Sequence, residues 1–271
     1  MPIRVGAVNY LNTKPLIWGL AERGPEIELV LDVPSRLADD LAAGRLDVAL
    51  IPSIECFRAE PPYTIVPDVS IAARGPVLSV KLLSRVAFPR IATLALDAGS
   101  RSSIALVQIL LAHQWGVRPT VQPLPLGQSA TDAATDAVLL IGDRAIHQRE
   151  GDFPYSLDLG EAWVEFSGLP CVFAVWAVRP GADLRGVDRA LQKARDEGLK
   201  HVDAIAAVDG PAVGISPERC RRYLTENLHY GLGFEERAGL QRFYELACAM
   251  NLAPEGVELV DYDPSYLAKG R

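Results

Sequence analysis

The sequence predicts an α/β protein of two lobes with a ligand cleft between them. Three observations carry this. Apolar, branched stretches alternate with helical ones in two separate βαβ runs, the pattern of parallel sheets with right-handed crossovers. An apolar stretch, Val172 to Val178, follows the second run and is long enough to carry the chain back to the first lobe. A length of 271 residues, with 49% apolar side chains, suits two such lobes whose cores need neither metals nor disulfides.

Taken in order, Ile3 to Val8 reads as a short buried strand. Asn12 to Glu22 follows as a helix, with Pro15 in its first turn, where a missing N–H is tolerated. Ile27 to Val33 is a strand, Pro34 to Ala43 a helix closed by Gly44, and Leu46 to Ile51 a strand. Val77 to Leu83 is expected as the fourth strand of the first lobe, and Arg85 to Arg90 as a crossing segment. Ile91 to Leu96 opens the second run, with a helix over Ser102 to Gln114 and a strand over Val121 to Leu126. A helical turn over Thr131 to Ala134 and a buried strand over Ala137 to Ile141 complete it. From Asp183 onward the pattern is helical, with Leu191, Ala194, Gly198, Val202 and Ile205 on one face. Two further helices are expected near Pro217 to Asn227 and Glu235 to Met250, then a short irregular tail, Leu259 to Arg271. The lobes so drawn are 1–88 with 176–271, and 89–175. No repeat of about 20 to 50 residues interrupts this pattern.

Composition excludes some functions. The formal net charge is -7 and no basic face is apparent, so a nucleic-acid partner is not expected. An anion would have to be held by local donors rather than by the field of the whole chain. Cys56, Cys171, Cys220 and Cys248 form no Cys-x-x-Cys pair and have no histidine at ligand spacing, so they read as reduced, buried thiols. Neither a metal site nor a cofactor motif is expected. The N-terminus enters a strand at once without a basic-then-apolar leader, and no apolar run reaches the roughly 18 residues that span a bilayer. The expectation is a cytoplasmic protein without a membrane partner, as a monomer or a homodimer.

In folds of this kind ligands bind beyond the C-terminal ends of the strands, so strand ends are searched first. Asn9-Tyr10-Leu11-Asn12-Thr13-Lys14-Pro15 lies where the first strand meets its helix; Asn12 or Thr13 either caps that helix or turns to a ligand. Asp97-Ala98-Gly99-Ser100-Arg101-Ser102-Ser103 joins a strand to a helix apolar nearly all round. Three hydroxyls exceed what one cap needs, which favours a carboxylate or phosphate held at the helix N-terminus. No Gly-Lys-Ser/Thr follows, so it is not a nucleotide loop. Ser79, in an otherwise apolar strand, and Ser53 with Glu55, after another, read as site residues or as satisfied core and cap residues. Gly142 and Asp143 end a buried strand, where Asp143 faces a cleft or caps the next helix. Trp163, Gly168, Leu169, Pro170 and Phe173 read mainly as core packing. His113, His147, His201 and His229 all fall in or just beyond expected helices, so no Ser-His-Asp set is assembled. Arg36, Lys14, Lys81 and Arg101 are available to neutralise an anion, although long cations are usually solvated.

The segment Val5-Gly6-Ala7-Val8-Asn9-Tyr10-Leu11-Asn12-Thr13-Lys14-Pro15-Leu16 resembles the opening of the chorismate dehydratase family, which begins the futalosine route to menaquinone. Similar segments follow in the same order at 46–55, 75–80, 96–103, 139–144 and 167–176, so the resemblance spans nearly the whole chain. Asn9, where serine is more usual, and Cys171, in place of phenylalanine, depart from it. The resemblance implies a type II periplasmic-binding-protein fold used as a lyase: chorismate, a dianion, loses water to give 3-[(1-carboxyvinyl)oxy]benzoate. Against it, Asn12 and Ser79 are expected at the reacting part of the substrate. Ser100, Ser102 and Ser103 are expected on a carboxylate, with Tyr10, Thr13, Ser53, Gly142 and Asp143 as further contacts. Rival readings are a non-catalytic receptor for small carboxylates and the related 1,4-dihydroxy-6-naphthoate synthase, whose site should use a histidine.

Overall fold

A computed structural model describes residues 1–147, 151 and 153–265. Its strands form two sheets. The larger has six strands in the order β11-β4-β10-β3-β1-β2, and the smaller five in the order β7-β6-β8-β5-β9. In the larger sheet, β1 (Ile3–Val8) pairs in parallel with β2 (Ile27–Asp32) and β3 (Val48–Pro52), with α1 (Pro34–Ala42) as one crossover. β3 is wholly buried, as its continuous apolar sequence requires of a strand covered on both faces. β10 (Cys171–Val178) returns to this sheet as expected and runs antiparallel between β3 and β4 (Thr64–Ala73). β11 (Val260–Asp261) lies within the expected irregular tail, whose last residues, 266–271, fall outside the described ones.

In the smaller sheet, β6 (Thr93–Asp97) pairs in parallel with β7 (Thr120–Leu124) and β8 (Ala137–Ile141). β5 (Val80–Ser84) lies antiparallel between β8 and β9 (Tyr155–Asp158). The strand expected over Val77 to Leu83 in the first lobe therefore belongs to the second. The first crossing moves back from 85–90 to the segment before β5, and residues 85–90 only connect β5 to β6. An apolar run fits either sheet equally well; its partner is not written in its own sequence.

Four further differences have local causes. β4 is not expected from sequence because Pro67 and Asp68 interrupt it. They sit where the register with β10 shifts, and Asp68 takes a φ of 64° in that bulge. The helix expected over Asn12 to Glu22 is instead a 3-10 turn over Leu11–Ile17, ended by Trp18 and a left-handed Gly19, then a second over Ala21–Glu26. β9 and α5 (Leu159–Ser167) are also unanticipated. Asp158 caps α5 by accepting from Gly160 and Glu161 N–H. The helix over 217–227 is split into α8 (Pro217–Arg222) and a wider π-helical turn, Tyr223–Asn227.

Of the remaining helices, α2 (Ile54–Arg58) and α4 (Asp143–His147) are short, while α3 (Arg101–Trp115) is buried nearly all round between the sheets. α6 (Val187–Lys200) and α7 (Val202–Ala212) bury the expected face of Leu191, Ala194, Gly198, Val202 and Ile205. At Gly198 an added Cβ would stand 2.1 Å from the Pro15 carbonyl oxygen, so α6 lies flush on the turn that carries Asn12. α9 (Phe234–Ala249) packs Phe243 against Trp163. Trp163 is buried and its indole N–H donates to the Pro170 carbonyl, the packing role expected of it. One apolar core runs through both sheets and the helices between them, and a smaller one, with Leu83, Val138 and Phe153, lies beside the second sheet. Cys56, Cys171 and Cys220 are buried, unpaired thiols, while Cys248 is partly exposed.

Candidate functional site

Between the sheets lies a pocket of about 490 Å³, counted out to its open mouth. Its polar lining is Tyr10, Asn12, Ser79, Ser100 and Ser103, with Gly142 at one side. Its walls are apolar: Val8, Pro34, Pro52, Ile71, Val77 and Phe173 among others. Among the described residues, no charged side chain and no histidine lines it.

Each polar group is placed by local structure. Asn12 rides on the 3-10 turn after β1, and Thr13 Oγ1 donates to Asn12 Oδ1 over 3.2 Å. That leaves the Asn12 amide nitrogen as the free, donating end. Ser100 is the N-cap of α3: its oxygen accepts from Ser103 N–H, and its proton goes to Ser103 Oγ over 2.8 Å. The Ser103 proton is left for a ligand, beside first-turn amides and the positive end of a 15-residue helix. Asp97, fully buried, braces this loop. It accepts from Gly99 and Ile141 N–H at 2.9 and 3.1 Å and is ion-paired to Arg144.

Ser79 sits on the first crossing in a strained turn. Its N–H donates to the Val77 carbonyl over 2.7 Å, closing a three-residue turn around Leu78, whose φ is 61°. The Asp158 carboxylate holds this turn, accepting from Val77 N–H at 2.9 Å and Leu78 N–H at 2.7 Å. The Ser79 carbonyl in turn accepts from Gly142 N–H at 2.8 Å. Gly142 has a φ of 69°, and a Cβ there would stand 2.9 Å from the Tyr10 ring, so the residue must be glycine on both counts. Burial, with Asp97 nearby, pushes the Tyr10 phenol up to about 12, so it remains a proton donor.

The other expected site residues are used elsewhere. Ser53 Oγ donates to the Val172 carbonyl over 2.7 Å and lies 3.1 Å from Ser102 Oγ, which accepts from Ile54 N–H at 3.2 Å. The two serines form a buried clasp between α2 and α3, away from the pocket. Thr13 is buried behind Asn12. Asp143 starts α4 and reaches across to the first sheet, where it accepts from Leu11 N–H at 3.1 Å. Burial raises its pKa above the usual carboxylate range, against the opposing pull of Leu11 N–H, His147 and Lys14. Three of the four suggested cations are also engaged: Lys14 with Asp209, Arg36 with Asp32, and Arg101 with Asp39 and Glu55. Sequence reasoning passed over Asp158 and read Phe173 mainly as core packing, whereas Phe173 forms part of the pocket wall. The first was detectable as an Asp-x-x-Glu cap before an apolar run; the second had no signal separating wall from core. Among the described residues no cluster of His, Cys, Asp or Glu suits a metal ion, and no helix is long and apolar enough to cross a membrane.

The architecture is shared with solved structures. Protein AF1704 from Archaeoglobus fulgidus superposes with a TM-score of 0.76 at 20% identity, covering 93% of this chain and 98% of that one. The CA3427 gene product of Candida albicans, described as having the generic periplasmic binding protein fold, superposes at 0.63 with 13% identity, covering 97% and 98%. In sequence the chain is 32% identical over 270 residues to the chorismate dehydratase of Thermus thermophilus, covering 93% of this chain and 97% of that protein. A family model described as menaquinone biosynthesis matches residues 3–249. With nearly its whole length matched in this way, the chain belongs to the menaquinone biosynthesis family, on a periplasmic-binding-protein-like fold.

Proposed function

We propose that this protein is a chorismate dehydratase, a lyase that removes water from chorismate to give 3-[(1-carboxyvinyl)oxy]benzoate on the futalosine route to menaquinone. One observation carries the chemistry. The pocket offers neutral donors and apolar walls but neither carboxylate nor imidazole. Such a site suits a reaction whose driving force lies in the substrate. The C3–H pair becomes the C3–C4 double bond, the C4–O pair departs with the hydroxyl, and the ring becomes aromatic. The enzyme has to orient the ring, exclude water and donate to the departing oxygen. Asn12 and Ser79 are assigned to that oxygen and its surroundings, and Ser100 with Ser103, at the N-terminus of α3, to a ring or side-chain carboxylate. Tyr10 supplies one more donor. The C3 proton is assigned to the substrate's own enolpyruvyl carboxylate, because among the described residues no carboxylate or imidazole lines the pocket. The absence of a lining histidine speaks against the 1,4-dihydroxy-6-naphthoate synthase reading. In this reading the lobes are 1–74 with 171–265, and 80–167, and the enzyme works in the cytoplasm.

The purified protein is incubated with chorismate and the products are followed by chromatography and mass. An aromatic product lighter by one water is expected, whereas chorismate recovered unchanged would overturn the reading. Asn12→Ala is expected to lower kcat by about 100-fold, the scale of losing one donor to developing charge, with the unfolding midpoint little moved.

A further inference from the structure

Behind Ser79, on the side away from the pocket, the π-helical turn Tyr223–Asn227 packs against the first crossing. Asn227 Nδ2 donates to the Pro76 carbonyl over 2.8 Å. Tyr223 is 1% exposed, and its hydroxyl has no hydrogen-bond partner. A buried phenol left so has given up its hydration with no bond in exchange. Ser79, 2% exposed and lining the pocket, is the side chain placed to hydrogen-bond it, while Asp143, Cys220 and Asp158 act on it through charge alone. Two buried hydroxyls, one lining the pocket and one beyond it, thus lie near each other. π-helical turns widen the helix by one residue and recur at functional sites; here the turn begins at Tyr223.

We infer that Tyr223 is a positioning residue for Ser79: its O–H donates to Ser79 Oγ when substrate closes the pocket, which commits the Ser79 proton to the substrate. A serine hydroxyl alone rotates and either gives or accepts. With a donor fixed behind it, it gives forward, and the linked bonds strengthen each other. The phenol suits this, since burial holds it protonated throughout the usable pH range. The inference rests on the dehydratase reading, in which the Ser79 O–H donates a hydrogen bond to the departing C4 oxygen.

The test is Tyr223→Phe, with Tyr230→Phe as its control. The Tyr230 hydroxyl is equally buried and unpartnered, but Ser79 is not among the groups acting on it. Tyr223→Phe is expected to lower kcat at least tenfold with KM within threefold and the unfolding midpoint unchanged or higher, while Tyr230→Phe keeps full activity. Added to Ser79→Ala, Tyr223→Phe is expected to cost nothing further. An active parent beside a Tyr223→Phe variant within twofold of it in kcat would overturn the inference, as would losses that multiply in the double variant. If Tyr223→Phe does not fold, 3-fluorotyrosine at 223 keeps the ring and strengthens the donor: a changed kcat supports the contact and an unchanged one overturns it. A parent that leaves chorismate intact removes the dehydratase reading and this inference with it, a result distinct from an active enzyme indifferent to Tyr223.

Discussion

Gly142 shows how little freedom the pocket leaves its residues. Its left-handed backbone alone disfavours any side chain by about 1 to 2 kcal/mol, and a methyl group there meets the Tyr10 ring at 2.9 Å. Gly142→Ala is therefore expected to lower stability by at least that amount in urea unfolding. It should also lower kcat, because Tyr10 has to move and the N–H that Gly142 gives to the Ser79 carbonyl moves with the backbone. Wild-type kinetics in this variant would mean that neither contact matters to turnover. Tyr10, Asn12, Ser100, Ser103 and Gly142, found near strand ends from sequence, line the pocket, as does Ser79, which was expected inside a strand. Those near strand ends were legible because a polar group ending an apolar run has few other uses. Tyr223 was illegible because nothing in a helical sequence marks which hydroxyl will lack a partner.

The first turn of α3 has two jobs on two faces. Successive helical residues diverge by about 100°, so Ser102 and Ser103 cannot serve one ligand together. Ser103 lies over Ser100 and faces the pocket, while Ser102 faces α2 and joins the clasp with Ser53. Reading three hydroxyls as one carboxylate site neglected that rotation. Two single variants separate the jobs. Ser103→Ala is expected to raise KM for chorismate about 10- to 150-fold, as the loss of a hydrogen bond to a charged group of about 1.5 to 3 kcal/mol implies, with a smaller stability loss than Ser102→Ala because the Ser100 hydroxyl alone loses its acceptor. Ser102→Ala leaves Ile54 N–H and Ser53 without their partner, so a stability loss of about 1 to 3 kcal/mol with KM nearly unchanged is expected. The reverse pattern would exchange their roles. Element types were legible wherever the apolar period was clean, as in α3, β8 and the α6–α7 face. Where Pro67 and Asp68 broke the period of β4, the longest strand in the protein went unread.

Between the lobes, Asp143 ties α4 to the end of β1 through Leu11 N–H. Burial raises the folded-state pKa of its carboxyl, so the folded state holds this proton more tightly than the unfolded chain does. The stability contributed by that proton is fully present below the unfolded value of about 4 and is lost as pH rises through the folded value. At neutral pH the ionised carboxylate is thus a net burden on the closed arrangement. Asp143→Asn keeps an oxygen for Leu11 N–H and removes the charge. It is expected to unfold at a higher temperature than the parent at pH 7, and to lack the parent's decline in stability above about pH 4. A lower midpoint at pH 7 would show that the charged hydrogen bond outweighs its burial. The two-sheet plan was legible at this scale, from the repeated βαβ pattern and the returning strand. The sheet to which β5 belongs was not, because pairing is settled by neighbours distant in sequence.

The strained turn at Leu78 lies where the chain passes from one sheet to the other, and Ser79 is its last residue. The passage between the sheets and the serine that lines the pocket are therefore the same short piece of chain. Unwinding this turn would swing Ser79 away from the other donors of the pocket. A change in the angle between the two sheets would reach the pocket first at this serine, as a hinge pin carries whatever is bolted to it.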